Sequence, residues 1–309
     1  MLRILILGSG AVAGLYAGKL KQAGCELHFW VRRNSEELLR DGFRVESVPW
    51  GNFEYRPDAV FESVPDHLEN YDLVINCLKC LPEINLESIL GGTIPATLPI
   101  LLLQNGIGIE DPVVSLYPNS EILSGLAFVC ANRLENGSIL HLDYGDLTIG
   151  SWNRSSSSVC DTLVDLFRSS GVPVQRAESV RLARWKKLMW NAPFNPTGVL
   201  TGGKNTYEIL SLSETRELVV EIMKEVRLLS GLDGAEVPES QIEDFVKMTE
   251  IMKPYKTSML LDFEAGRPME IDAILGNAVR IADRYGAQVP RLRTIYSLLK
   301  LADHSKGIQ

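Results

Sequence analysis

The feature that most narrows the fold lies at the amino terminus, where the apolar run Arg3-Ile4-Leu5-Ile6-Leu7 enters Gly8-Ser9-Gly10-Ala11-Val12-Ala13 without a break. A short continuous apolar run is how a parallel strand covered on both faces reads. Glycines at 8 and 10 permit a tight turn and the close approach of a pyrophosphate to main-chain N–H groups, and Ala13 is small enough for a following helix to pack on the strand. That helix runs to about Ala23, where Gly24 stops it, and residues 27–31 supply a second strand. Set between a strand and a helix, with the next strand on schedule, the glycine pattern predicts a dinucleotide-binding sheet. A carboxylate at the end of the second strand would bond the ribose hydroxyls and repel a 2′-phosphate. Arg32 and Arg33 stand there instead, and two guanidiniums suit a phosphate monoester, which favours NADP(H) over NAD(H); the alternative is a pair of solvated surface arginines.

The pattern continues for more than half the chain. Residues 71–77 read as a parallel strand ending near Lys79, and residues 99–103 as another ending at Gln104-Asn105-Gly106-Ile107-Gly108. Ligands in such sheets gather beyond the carboxyl ends of the strands, so Lys79 and Asn105 are candidates for cofactor or substrate contact. Residues 122–128 add a strand before Val129-Cys130-Ala131, residues 138–149 an antiparallel strand pair, residues 161–170 a helix and residues 172–174 a last strand. From residue 178 the strand pattern stops. Helical periodicity follows at about 178–195, 213–230, 238–252, 255–264, 271–284 and 290–302. The expected architecture is therefore α/β: an amino-terminal Rossmann-type parallel-sheet domain over residues 1–176, then an all-helical domain over 177–309.

Within the helical half, residues 185–196 combine strong hydrophobes with Lys187, Asn191 and Asn195 at i, i+4 and i+8. At ~100° per residue these three drift only ~80° around a helix, so one ammonium and two amides share a face. Pro193 and Pro196 are expected to kink or break the end of this helix. Ser258 sits in an apolar helix, and Glu270 and Asp272 fall in a first helical turn, where compensation of the helix dipole would explain one of them. Asp262 and Arg267 are spaced for a loop ion pair.

Composition removes several function classes. A net charge of −8 argues against a nucleic-acid partner, which needs concentrated Lys and Arg. Five scattered cysteines fit a reducing compartment better than a disulfide framework, and Cys77-Leu78-Lys79-Cys80 has no second pair to complete a zinc site. None of His28, His67, His141 and His304 has metal or hydrolase spacing, so no metal is expected. Glycines interrupt the apolar stretch 2–20, and no other run approaches a membrane span; a cytosolic protein without a membrane partner is the expectation.

Taken together, Gly8-Ser9-Gly10-Ala11, Gln104-Asn105-Gly106-Ile107-Gly108, residues 185–196, Ser258-Met259-Leu260 and Glu270-Ile271-Asp272 resemble the 2-dehydropantoate 2-reductase (ketopantoate reductase) family over nearly the whole chain. The resemblance implies a Rossmann domain, a helical domain and a cleft between, with NADPH as cofactor and a small 2-oxoacid as substrate. It implies that Lys187 is the proton donor and Glu270 its acidic partner near the nicotinamide. Asn105, Asn191, Asn195, Asn205 and Ser258 take substrate-contacting positions, and Asn105, Ala131, Arg32 and Lys79 cofactor positions beside the loop from Gly8 to Ala13. The implied reaction is reduction of 2-dehydropantoate to (R)-pantoate in pantothenate and coenzyme A synthesis, with a homodimer left open. Met269, Tyr255 and Val129 depart from the family pattern, where threonine, asparagine and histidine occur. They motivate the alternative of another branched 2-oxoacid. A non-catalytic NADPH-responsive binding protein, the remaining alternative, would be expected to lack the proton donor.

Overall fold

The computed structural model describes residues 1–91 and 94–306. The chain divides into two compact units, a sheet unit of Met1–Lys79, Glu83–Gln104 and Glu110–Val180, and a helical unit of Cys80–Pro82, Asn105–Ile109 and Arg181–Gln309.

The sheet unit follows the order β1 (Arg3–Leu7), α1 (Ala11–Gln22), β2 (Glu26–Trp30), α2 (Ser35–Asp41), β3 (Phe43–Ser47), β4 (Phe53–Tyr55), β5 (Ala59–Phe61), β6 (Leu73–Asn76), α3 (Leu86–Leu90) and β7 (Ile100–Leu102). It closes with α4 (Glu110–Leu116), β8 (Ile122–Arg133), β9 (Ile139–Ser151), α5 (Ser158–Ser169) and β10 (Val174–Arg176). One sheet runs β4-β3-β9-β8-β7-β6-β1-β2-β5, with β10 alongside β9. The stretch β5-β2-β1-β6-β7-β8 is parallel throughout, and the strand order reverses between β1 and β6. That reversal is the switch point at which open α/β sheets bind ligands. Its strands are apolar runs because both faces are covered: Ile4 to Leu7, Leu73 to Ile75 and Ile100 to Leu102 are at most 3% exposed.

The stretch 138–149, expected to be a strand pair, lies almost wholly in the single long strand β9, Ile139–Ser151. Tyr144 and Gly145 take positive φ of 60° and 125° inside β9, and the β8–β9 register shifts opposite them, so the glycine marks a bulge where a turn was expected. β8 likewise continues through Val129-Cys130-Ala131 instead of ending at Phe128. The last strand begins at Val174, after the proline rather than before it. Strands β3 to β5 and helix α2 have no counterpart in the sequence reading, because segments of three to seven residues are too short for periodicity to register. Tight packing of α1 comes from Gly14 and Gly18 more than from Ala13: a Cβ on Gly14 would lie 2.3 Å from Ile139 Cδ1, and one on Gly18 2.5 Å from Phe53 Cε2.

The helical unit contains α6 (Val180–Leu200), α7 (Thr206–Ser211), α8 (Ser213–Leu232), α9 (Ser240–Ile251), α10 (Ser258–Glu264), a π-helical turn at Asp272–Gly276, α11 (Asn277–Tyr285) and α12 (Pro290–Lys306). Contrary to expectation, α6 runs through both prolines to Leu200. Each proline removes one main-chain bond, a net cost of about 1 kcal/mol beyond ring strain. Leu188, Met189, Phe194 and Val199 are buried to within 4% of completely, and burial of such side chains contributes about 1.5–3 kcal/mol each, so packing on several faces holds the helix.

Candidate active site

Helix α6 is fixed in rotation by its tryptophans. Trp185 donates from Nε1 to Asp233 Oδ2 at 2.9 Å, Arg181 pairs with the same carboxylate at 3.1 Å, and Trp190 donates to Thr249 Oγ1 at 3.0 Å. With those faces anchored, Lys187, Asn191 and Asn195 share the remaining stripe. Lys187 is half-buried, whereas Asn191 and Asn195 are only 9% and 2% exposed. Neither asparagine side chain hydrogen-bonds another described residue, an uncommon condition for buried amides and one that suits a polar ligand.

Burial pushes the Lys187 ammonium from its ordinary value near 10.5 down to about 7, and the buried guanidinium of Arg184, one turn earlier, adds to the shift. Glu270 opposes it without reversing it. Loss of solvation therefore outweighs the carboxylate, a balance that spacing alone leaves open. A lysine near neutrality divides its time between ammonium and amine, which suits a group that must give up and regain a proton at pH 7.

Glu270 is itself held on both oxygens. The main-chain N–H of Cys80 donates to Oε1 at 2.9 Å, and Asn105 Nδ2 donates to Oε2 at 3.3 Å. Residues 105–109 are clamped to the segment after Glu270: Ile107 N–H donates to the carbonyl of Ala273 at 3.0 Å, and Asn277 Nδ2 donates back to the carbonyl of Ile107 at 2.6 Å. Gly106 is required between them, since its φ is +117° and a Cβ would lie 2.8 Å from Ala273 O. The π turn at Asp272–Gly276 adds a residue where this clamp forms, and such turns occur often at functional sites. Asp272 plays the structural part: it accepts from Tyr296 at 2.7 Å and pairs with Lys300 at 3.2 Å.

Two sequence candidates have local structural employment. Asn205 caps α7, accepting from Glu208 N–H at 2.9 Å while Glu208 reaches back to the Asn205 N–H at 3.0 Å. Ser258 opens α10 as an exposed residue, and Thr257 makes the cap. The Asp262–Arg267 loop pair forms as expected at 2.9 Å.

In the sheet unit, Gly8 has a φ of +97°. Gly10 precedes α1 with no side-chain cap and no acid in the first turn, and a Cβ built on it would meet nothing within 4 Å. The first N–H groups of α1, at Ala11, Val12 and Ala13, are thus donors at an uncapped helix start, which fits a dinucleotide pyrophosphate. Arg32 and Arg33 lie just past β2, exposed, and neither forms an ion pair among the described residues. Lys79 follows β6, and Ala131 lies on β8 beside a register shift.

The sequence reading missed four contributors. The Cys80 N–H and the Asn277 clamp leave no side-chain signature, since one is main chain and the other acts over long range. Arg184 lies at i−3 from Lys187 and was open to helical spacing. Arg133 Nη1 donates to the carbonyl and hydroxyl of Ser9, steadying the glycine loop from the end of β8.

Comparison with known proteins gives this arrangement its lineage. Residues 4–154 match the family model described as ketopantoate reductase PanE/ApbA, and residues 179–303 its carboxyl-terminal counterpart. A 2-dehydropantoate 2-reductase from a Nostoc species is 34% identical over 303 residues, covering 96% of this chain and 94% of that one. The chain belongs to the ketopantoate reductase family. Among solved structures of ketopantoate reductases, that from Methylococcus capsulatus is 37% identical with a TM-score of 0.92, covering 99% of this chain and 98% of the other. The enzyme from Geobacter metallireducens is 32% identical with a TM-score of 0.89, covering 97% and 100%. A D-mandelate dehydrogenase solved with NADH and anilino(oxo)acetate shares the fold at 21% identity and a TM-score of 0.88, covering 99% and 100%. The chain is thus an oxidoreductase of the ketopantoate reductase family.

Proposed function

We propose that this oxidoreductase reduces 2-dehydropantoate to (R)-pantoate with NADPH, the reductase step of pantothenate and coenzyme A synthesis. The observation that carries the reading is Lys187, poised near neutrality beside a Glu270 carboxylate held from two directions. When bound, the reduced nicotinamide supplies hydride to the ketone carbon. Negative charge then builds on the carbonyl oxygen, where an ammonium stabilises it and donates the proton that completes the alcohol. Lys187 takes that task and is reprotonated from solvent, and Glu270 keeps its ammonium form accessible. Asn191 and Asn195 offer buried amides, without side-chain hydrogen-bond partners among the described residues, for the carboxylate and hydroxyl of a small oxoacid, binding it without added charge. The uncapped start of α1 takes the pyrophosphate, with Arg32 on the 2′-phosphate and Lys79, Asn105 and Ala131 as further cofactor contacts.

A related reductase of another branched 2-oxoacid is the second reading. Met269, an apolar side chain only 5% exposed immediately before Glu270, favours it.

The test is the loss of NADPH absorbance with 2-dehydropantoate and with a panel of other branched 2-oxoacids, for the native protein and Lys187→Ala. Turnover of 2-dehydropantoate above the rest of the panel, falling about 10²–10⁴-fold in kcat for the variant, is the expected result. No turnover of 2-dehydropantoate beside brisk turnover of another oxoacid transfers the assignment to the second reading. A Lys187→Ala loss below tenfold removes Lys187 as the acid.

A further inference from the structure

The end of β8 presents a guanidinium to the glycine loop. From Ala131 to Arg133 the pairing with β9 is regular, with Ala131 opposite His141, Asn132 opposite Leu140 and Arg133 opposite Ile139. Side chains two apart on a strand, and those directly across a strand pair, lie on one face. Ala131, Arg133 and Ile139 therefore share a face. Ile139 marks where it points, since a Cβ on Gly14, in the first turn of α1, would collide with its Cδ1. Arg133 extends the same face to the residue before Gly10, donating from Nη1 to the carbonyl and the hydroxyl of Ser9. The turn that follows is fixed by its own bonds: Leu134 N–H donates to the carbonyl of Ser138 at 2.8 Å, Gly137 N–H to that of Leu134 at 3.0 Å, and Asn136 Oδ1 accepts from the N–H and hydroxyl of Ser138 at 3.0 and 2.9 Å.

These bonds use only one nitrogen of the guanidinium. Nε and Nη2 have no partner among the described residues, and Arg133 forms no ion pair among them. An arginine side chain is a planar fork of N–H donors matched to phosphate oxygens, so the unused edge suits an anion seated on the loop that the other edge braces. Ser9 lies two residues before Ala11, a span of at most about 7 Å. A phosphate on the uncapped start of α1 is thus a neighbour of the guanidinium that rests on Ser9, and no carboxylate neutralises that guanidinium. Ala131, a proposed cofactor contact, precedes Arg133 by two residues on the same face. We propose that Arg133 is a further cofactor-binding residue whose remaining N–H groups donate to the dinucleotide pyrophosphate, a role that rests on the proposed seat of the cofactor at the start of α1. Arg32 then selects the 2′-phosphate, while Arg133 serves the phosphates that NADPH and NADH have in common.

The test is equilibrium binding of NADPH, NADH and adenosine 2′-monophosphate, without oxoacid or turnover, read by calorimetry for the native protein, Arg133→Ala and Arg133→Lys. Native binding of the dinucleotides reports on the cofactor reading itself, and the ratio of native to variant affinity reports on Arg133. Arg133→Ala is expected to weaken NADPH and NADH by a common factor of roughly ten to a hundred, the worth of one hydrogen bond to a charged group. Adenosine 2′-monophosphate, which lacks the pyrophosphate, should bind both proteins alike. Arg133→Lys should recover part of the dinucleotide affinity, since it restores the charge without the fork. The side chain is exposed, so the unfolding midpoint without ligand should change little in either variant. Unchanged affinity of Arg133→Ala for both dinucleotides overturns the proposal. A loss confined to NADPH would place the guanidinium on the 2′-phosphate and overturn it too. So would a loss that Arg133→Lys leaves entire, accompanied by a lowered unfolding midpoint, because Arg133 would then only brace the loop. A native protein that binds neither dinucleotide removes the cofactor reading and this role with it.

Discussion

Lys187 and Glu270 make opposing claims on one proton. Desolvation and Arg184 lower the lysine to about 7, while Glu270 raises it from what it would otherwise be. As the proton donor in carbonyl reduction, Lys187 must start as the ammonium. The rate of reduction is therefore expected to be level on the acid side and to fall as pH rises through about 7, with alcohol oxidation showing the mirror dependence. Glu270→Gln keeps the side chain's shape and removes the charge that favours the ammonium. The midpoint should move to lower pH, and a pH–rate profile of the two proteins measures it. A shift in the opposite direction would mean that the carboxylate acts other than by electrostatic support of Lys187.

Among the elements, the loop at residues 105–109 is the most exacting. Gly106 combines a φ of +117° with a Cβ position 2.8 Å from a carbonyl oxygen, so Gly106→Ala must strain the backbone and displace the Asn105 amide from Glu270. The expected cost is about 1–3 kcal/mol of stability, accompanied by a loss in kcat, read from denaturant unfolding and steady-state kinetics. The start of α7 discriminates between two roles for Asn205. Its side-chain oxygen is already taken up by the capping box, so Asn205→Ala should lose about 0.5–2 kcal/mol of stability while leaving the oxoacid KM nearly unchanged. A large rise in KM with unaltered stability would restore Asn205 to the substrate.

Over the whole molecule, each compact unit carries its own buried core, one centred on α6 and α8 and the other on the parallel strands and α1. The candidate cofactor residues at Gly8 to Ala13 and Arg32 belong to the sheet unit. A cofactor at one hundred times its Kd stabilises a folded protein by about 2.7 kcal/mol. NADPH should accordingly raise the unfolding midpoint of the native protein, and Arg32→Asp should remove that rise while NADH retains or gains its own. Equal stabilisation of both proteins by NADPH would take the 2′-phosphate away from Arg32. Among the described residues, no helix is long and apolar enough to cross a membrane.

What the sequence by itself determined is what local periodicity and side-chain chemistry encode. Buried parallel strands read as apolar runs, the glycine loop stands where strand meets helix, and a helical stripe holds Lys187, Asn191 and Asn195 together because their spacing is nearly a whole number of turns. The resemblance built on those pieces is the family the comparisons give. The tertiary structure decided what depends on groups far apart in the chain. Whether α6 survives two prolines is settled by burial, whether Gly145 turns or bulges β9 by its register with β8, and whether Asn205 caps a helix by Glu208 folding back. The same holds at the site. Glu270 is oriented by a main-chain N–H 190 residues away, and Lys187 is brought near neutrality because loss of solvent outweighs a carboxylate, a balance of opposing terms that no spacing of residues contains.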